Sequence, residues 1–227
     1  MRLPRLTAAM LLVAVMTATG CKNHVVYREK GYDQYRAADY AAAADNFREA
    51  VKLKPGDFRS QYYLAASLLK QDQAIAAQIP LERALTLRGG DPEWRPRIAD
   101  LLAESYYQQE RFDTLYAFLD DQIRTYSQQT PDFLRKAKYL DLLGDADGQK
   151  IALQKAAYFA PADDATPYLA IADFYLTVND VPNAIQALRF GYYVDAENED
   201  VKDGLRGLGV VPGPTIADAP PKPEILD

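Results

Sequence analysis

Small and large apolar residues recur along the chain at helical spacing, and the same arrangement returns several times. The pattern A-x₃-F-x₂-A-x₄-P spans Ala43 to Pro55, and degenerate copies are centred on Leu81, Leu153 and Leu188. The copies close at positions 55, 89, roughly 127, 161 and 196, so they lie 34 to 38 residues apart. Because residues three and four apart share one face of a helix, this spacing predicts repeated amphipathic helices.

A second pattern precedes each copy. Its clearest form is Tyr168-x₂-Ile171-Ala172-x₂-Tyr175, and weaker forms lead the other copies. Together the two patterns resemble the tetratricopeptide repeat, whose signature joins W-x₂-L-G-x₂-Y to A-x₃-F and a closing Pro with a period of about 34 residues. The resemblance covers about residues 24–196 in five copies. It implies an all-α, right-handed solenoid of about five helical hairpins.

Local signals refine the expected helices. Small residues recur where two helices of a hairpin must approach closely: Ala65, Ala77, Ala84, Ala137, Ala156, Ala172 and Gly191. Thr130 and Thr166 each precede a proline and are predicted to be N-caps. Asn198 is predicted to cap a last short helix, about 199–207, that covers the apolar end of the stack.

The first residues predict an export signal. Arg2 and Arg5 precede the uncharged stretch 6–20, which is too short for a bilayer span of about 20 residues. The sequence Ala18-Thr19-Gly20-Cys21 is similar to the bacterial lipobox, in which the cysteine becomes the acylated first residue of the mature chain. Lys22 follows in place of the Asp that retains such lipoproteins at the inner membrane. The resemblance therefore implies a bacterial lipoprotein at the outer membrane, facing the periplasm, with acyl chains such as palmitate on Cys21.

These signals divide the chain into three parts. Residues 1–21 form the signal with its lipobox, and 22–206 form the repeat body. Residues 207–227 hold five of the 14 prolines and no helical periodicity. We interpret this last segment as a mostly disordered, proline-rich tail, which is either a solvated end or a peptide ligand for another protein.

Composition excludes several functional classes. The chain has one cysteine and one histidine, too few for a zinc site built from these residues. None of the serines has a histidine that could activate it as a nucleophile. The formal charge of −6, or −8 after loss of Arg2 and Arg5, argues against a nucleic-acid binder. We therefore expect no metal, no cofactor and no catalytic residue. His24 is interpreted as a linker residue and the acidic run 195–203 as a charged helix start.

The remaining candidate is the concave face, which the first helix of each repeat lines in this family. Residues 22–70 carry nine bases and six acids, whereas 195–227 carry three bases and eight acids. Tyr and Arg are frequent interface anchors. The face is predicted to bind a protein partner through Arg28, Tyr32, Tyr35, Arg36, Arg59, Tyr62, Lys70, Arg97 and Tyr107. The alternative is that these tyrosines pack between repeats and the bases are solvated.

The sequence thus predicts a membrane-tethered scaffold of the bacterial envelope that binds a partner segment in its groove. One alternative is an assembly lipoprotein for a pilus, a secretion pore or an outer-membrane barrel machine. An alternative of another class is a peptidoglycan-acting enzyme with a carboxylate pair, although no pair stands out. A third is a binder of small molecules or glycans, which requires a closed pocket.

Overall fold

The computed structural model describes residues 23–88, 90–127 and 129–220, and all regular structure within these ranges is helical. The helices are α1 (His24–Arg36), α2 (Tyr40–Leu53), α3 (Phe58–Leu69), α4 (Ala74–Arg88), α5 (Trp94–Gln108), α6 (Phe112–Thr125), α7 (Thr130–Leu142), α8 (Ala146–Tyr158), α9 (Thr166–Thr177), α10 (Val181–Val194) and α11 (Glu199–Gly207). A 3₁₀ turn follows at Pro214–Ile216. The predicted all-α architecture is confirmed.

Two compact units make up the fold, with α1–α5 in unit 1, up to Gln109, and α6–α11 in unit 2, from Glu110. In unit 1, α1 packs on α2 and α3 packs on α4. The first helices of successive repeats also meet, since α3 contacts both α1 and α5. Phe47 and Leu81 are fully buried in this unit.

Unit 2 repeats the hairpin arrangement. Helix α7 packs on α8, α9 packs on α10, and α7 contacts α9. One core cluster contains Leu140, Leu153 and Phe174. A second cluster joins α9 and α10 to α11 through Leu188, Val201 and other apolar side chains. The last helix therefore covers the apolar end of unit 2, as predicted.

The turns from α1 to α2, α3 to α4, α5 to α6, α7 to α8 and α9 to α10 each contain one residue with left-handed backbone. These residues are Ala38, Asp72, Glu110, Gly144 and Asn179, with φ between 55° and 77°. They lie 34, 38, 34 and 35 residues apart, which are the same intervals that separate the closing positions in the sequence. Left-handed backbone is uncommon at residues other than glycine. Its recurrence at the same intervals as the sequence pattern independently supports five copies of the repeat.

The small residues predicted at helix crossings are buried. Ala65, Ala77, Ala84 and Ala156 have no exposed surface, and Ala172 is 2% exposed. At Gly191 an added Cβ would lie 3.3 Å from both Tyr168 Cβ and a Val201 methyl group. Close approach of the helices thus requires small side chains at these positions.

One set of helix starts differs from the prediction. Thr130 and Thr166 are the first helical residues, and the N-caps are Gln129 and Ala165. The prediction that the threonines are caps is therefore wrong. Thr130 is buried, and its hydroxyl donates to the carbonyl of Ala156 at 3.3 Å. At the other start, the Thr166 amide donates to the side chain of Asp164 at 2.9 Å. The cap at Asn198 is confirmed, since its side chain accepts from the Val201 amide at 3.2 Å.

Part of the proline-rich tail lies against unit 2. Leu208, Val210 and Ile216 are half-buried and pack against the cluster of α9, α10 and α11. Asp218 accepts a hydrogen bond from Gln186 at 3.3 Å and forms an ion pair with Arg189 at 3.6 Å. Residues 1–22, with the signal and Cys21, and residues 221–227 lie outside the described residues. The three-part division of the chain stays a prediction.

Candidate partner-binding face

A continuous series of aromatic rings crosses the first helices of unit 1. Tyr32 of α1 lies 4.7 Å from Tyr63 of α3, measured between ring centroids. Tyr63 lies 5.0 Å from Tyr62, and Tyr62 lies 5.5 Å from Trp94 at the start of α5. All three contacts are edge-to-face, a favoured geometry for aromatic pairs. We call these four residues the aromatic row.

The row is anchored from the core side. Tyr63 stacks on the buried Phe47 at 5.6 Å, and Trp94 meets the buried Phe58 edge-to-face at 5.0 Å. All four members of the row are themselves half-buried. Each ring therefore has fixed neighbours and still exposes part of its surface to solvent. An exposed aromatic surface of this kind is available for contact with a protein partner.

Arginines lie over these rings. The guanidinium carbon of Arg28 is 6.0 Å from the Tyr32 ring centre, and Arg59 and Arg97 lie 5.7 Å and 5.3 Å from the Trp94 ring. Such contacts are cation–π interactions, worth about 0.5–1 kcal/mol at exposed sites. Arg28 also links two helices, because it pairs with Asp57 at 3.2 Å. Burial opposes its charge, but the Asp57 carboxylate raises the Arg28 pKa overall.

Burial also changes the acidity of the tyrosines. Desolvation raises the pKa of Tyr62 and of Tyr32 to about 12, from an ordinary value of 10.0. The pKa of Tyr35 is raised by the same cause. These hydroxyl groups therefore remain neutral donors at any physiological pH, and the face offers aromatic surface and guanidinium charge without phenolate.

The structure brings together six of the nine residues predicted for the groove. Tyr35 joins the row through Tyr63 at 5.5 Å, and the other five are Arg28, Tyr32, Arg59, Tyr62 and Arg97. Arg36 instead pairs with Asp33 at 2.6 Å, where both side chains are largely exposed. Lys70 is exposed at the end of α3, and Tyr107 is half-buried near the end of α5.

Two residues of the row were missed by sequence reasoning. Trp94 lies five residues before Ala99, where the repeat pattern of the third copy begins, so the pattern did not reach it. Tyr63 is adjacent to Tyr62, and helical spacing assigned only one of them to the face. Trp94 is the only tryptophan in the chain, and tryptophan is the residue type most enriched at interface hot spots. That composition signal could have identified it.

Other candidate chemistry does not assemble in the described residues. Within them, no group of three or more His, Cys, Asp or Glu side chains is arranged to hold a metal ion. The acidic run is used within α11, where Lys202 pairs with Glu199 at 3.0 Å and Arg206 pairs with Asp203 at 2.6 Å. His24 is the first residue of α1. None of the described helices has the length and apolar character that crossing a membrane requires.

Solved structures with the same fold are tetratricopeptide-repeat proteins. TTC0263 of Thermus thermophilus, a thermophilic protein of this class, is 22% identical, with a TM-score of 0.53 over 82% of this chain and 98% of its own. PilW, described as a widely conserved type IV pilus biogenesis factor, is 16% identical, with a TM-score of 0.57 over 81% and 83%. A tetratricopeptide repeat protein from Parabacteroides merdae is 11% identical, with a TM-score of 0.57 over 82% and 71%.

No protein-family model matches the chain, and no curated protein matches it. The structural likeness, together with the hairpins and the turn period, shows that the fold is that of tetratricopeptide-repeat proteins. The resemblance inferred from the sequence is confirmed at the level of fold.

Proposed function

We propose that this protein is an interaction scaffold that binds a segment of a protein partner along the aromatic row. The observation that carries the proposal is the row itself, because it connects α1, α3 and α5 through ring contacts of 4.7, 5.0 and 5.5 Å. An extended or helical segment that crosses the three helices meets all four rings. Tyr, Trp and Arg are the residue types that dominate interface energetics.

The arrangement suits binding better than catalysis. The phenols of Tyr32 and Tyr62, whose pKa values are raised to about 12, stay neutral and do not exchange protons near neutral pH. General acid–base chemistry needs a group whose pKa lies near the working pH. The face supplies stacking, apolar contact and positive charge, which are means of recognition. We therefore propose a non-enzymatic role.

We further propose that the scaffold is tethered by lipid to a bacterial envelope membrane, at the outer membrane where the cell has one. The pattern around Cys21 supports this, with Arg2 and Arg5 before an uncharged stretch and Lys22 after the cysteine. Two or more acyl chains make anchoring stable. Assembly of an envelope machine is the process we favour for such a scaffold; PilW is a pilus biogenesis factor, and this chain shares its fold.

Substitution of the row tests the binding role. Tyr62→Ala in the full-length protein, used as bait on solubilised membranes, should release the proteins that the unaltered chain retains. Truncation of a central interface tyrosine often costs about 2 kcal/mol, which is about 30-fold in affinity. The matched control is Tyr193→Ala, which removes an exposed tyrosine of unit 2. Equal retention by both variants, with unchanged circular dichroism, contradicts the proposal.

The anchor has a separate test. Cys21→Ala removes the only thiol in the chain, so acylation is lost and the variant should be either soluble or uncleaved. Phase partition in detergent, with the size of the chain read on a gel, distinguishes these two states from the acylated protein. Metabolic labelling with an alkyne fatty acid should mark the unaltered chain and not the variant. Labelling of both proteins, or full membrane retention of a variant from which the signal has been cleaved, contradicts a lipid tether at this residue.

A further inference from the structure

Three guanidinium groups surround one aromatic pair at the edge of the row. Arg59 lies 5.6 Å from the Phe58 ring and 5.7 Å from the Trp94 ring. Arg88, at the end of α4, lies 4.5 Å from Phe58, and Arg97 lies 5.3 Å from Trp94. The end of α4 and the starts of α3 and α5 thus converge on this pair. We call Arg59, Arg88 and Arg97 the arginine cluster.

The ion pairs of the cluster are long, and one of its arginines has none in the described part of the chain. Arg88 lies 3.9 Å from an Asp91 oxygen, and Arg97 lies 3.6 Å from a Glu93 oxygen. Charge-assisted hydrogen bonds between guanidinium and carboxylate are about 2.7–2.9 Å long, so both pairs are loose. Arg59 is exposed and forms no ion pair with the residues that the structure describes. Asp100 also lies near this region, since it adds to the effect of burial in raising the pKa of the neighbouring Tyr62, but Arg59 has no ion-pair partner of its own among the residues described.

The unpaired guanidinium of Arg59 indicates the kind of ligand. A guanidinium that contacts a ring face keeps its N–H groups at its edges, where they suit the two oxygens of a carboxylate. Arg59 lies over two rings and its edges are not used by an ion pair within the described residues. A nucleic acid or an anionic membrane needs a broad basic surface, and the chain as a whole has a formal charge of −6. The Tyr62 ring, 5.5 Å from Trp94, places aromatic surface immediately beside the cluster.

We propose that the arginine cluster is a carboxylate subsite, which takes an Asp or Glu side chain of the partner segment while the neighbouring apolar residues of that segment lie on the aromatic row. This proposal rests on the function proposed above and adds the chemistry and placement of the partner. Arg59 makes the principal contact because it lies over both rings and forms no ion pair with the described residues. Arg88 and Arg97 exchange their loose partners for the incoming group.

Peptide selection tests the subsite even while the partner is unidentified. A random dodecapeptide library displayed on phage is selected on the purified full-length protein, and the most enriched sequence is synthesised with a fluorescent label. We expect an acidic residue beside apolar or aromatic ones. Arg59→Gln should weaken binding of this peptide by about 10-fold. When the Asp or Glu of the peptide is replaced by Asn or Gln, Arg59→Gln should have little further effect on binding.

Matched measurements separate the possible results. Arg124→Gln, an exposed arginine of unit 2, should leave binding unchanged, and circular dichroism of both variants should match the unaltered protein. Selected peptides that need Tyr62 but lack acidic enrichment, or that bind Arg59→Gln normally, overturn the subsite and leave the proposed function standing. No selected peptide that depends on Tyr62 overturns both. Phosphatidylglycerol vesicles that bind through Arg59, with no acidic peptide selected, overturn it in favour of a lipid headgroup.

Discussion

Units 1 and 2 are built from the same helical hairpin, yet their first helices carry different side chains at matching positions. The repeat register equates Tyr62 of α3 with Leu134 of α7 and Leu169 of α9. In unit 1 the tyrosine is one ring of the aromatic row. In unit 2 both leucines are partly buried and pack against the core clusters of their own hairpins. The same scaffold position thus belongs to the aromatic row in unit 1 and packs against a core cluster in unit 2.

The neighbouring position shows the same divergence. Tyr63 corresponds to Arg135 in α7, and Arg135 forms a 2.6 Å ion pair with Asp132 in which both side chains are almost fully buried. Tyr63, by contrast, contacts the rings of Tyr32, Tyr62 and Phe47. Both units keep small, buried residues at the helix crossings, and we infer that these residues set the geometry of the repeat. The positions between them are free to acquire separate roles.

The largest expected effect separates the two roles directly. Arg135→Ala leaves the Asp132 carboxylate without this partner inside unit 2, and breaking a buried pair from one side costs about 3–5 kcal/mol. Arg206→Ala removes exposed ion pairs with Asp203 and Glu199, for each of which about 0–1 kcal/mol is expected. Urea unfolding followed by circular dichroism measures both. Similar losses would mean that the buried pair has no special structural role.

A second prediction compares one turn position in the two units. Gly144→Ala places a side chain at φ 77° and should destabilise by about 1–2 kcal/mol, although no atom lies within 4 Å of the new Cβ. Ala38 occupies the same turn position in unit 1 at φ 60°. Ala38→Gly should therefore stabilise, by less than about 1 kcal/mol because glycine also gains freedom in the unfolded chain. Thermal melts should show opposite signs, and equal signs would refute the shared turn geometry.

The repeat could be predicted from the sequence because it is periodic, and periodic signals add over five copies. The left-handed turn residues are separated by the same intervals as the sequence copies. The alanines predicted at helix crossings are buried, as expected. The aromatic row was predicted only in part, since Trp94 precedes its repeat pattern. Contacts of the segment after α11 were not predicted because Leu208, Val210 and Ile216 follow no helical or strand spacing; only the folded surface of α10 and α11 makes them neighbours.

A third prediction concerns that segment, which has no counterpart in unit 1. Ile216 is half-buried against the last core cluster, whereas Val211 is 82% exposed. At about 0.8 kcal/mol for each fully buried CH₂, Ile216→Ala should cost about 1 kcal/mol, and Val211→Ala should cost almost nothing. Chemical denaturation measures the free energy of unfolding of both variants. A neutral Ile216→Ala would show that the segment does not stabilise unit 2 in solution.

The smallest expected effect is a change in alkaline titration. The raised pKa values of Tyr32 and Tyr62, about 12 against 10.0 in the unfolded chain, mean that the folded state holds more protons between these values. Their contribution to stability is therefore complete below about pH 10 and is lost as the pH rises towards 12. Ultraviolet absorbance of tyrosinate should show a late step that Tyr62→Phe reduces. Tyr193→Phe should retain that step, and an unchanged step in Tyr62→Phe would contradict the burial of this ring.

We propose that the aromatic row, and not its counterpart in unit 2, is the face that meets the partner. Site-specific photo-crosslinking in living cells can compare the two faces, with benzoylphenylalanine placed at Tyr62 in one strain and at the register-equivalent Leu134 in another. We expect a discrete crosslinked partner from position 62 that disappears when Arg59→Gln is added, and little or none from position 134. Equal crosslinking at both positions, or a partner captured only at 134, would contradict it.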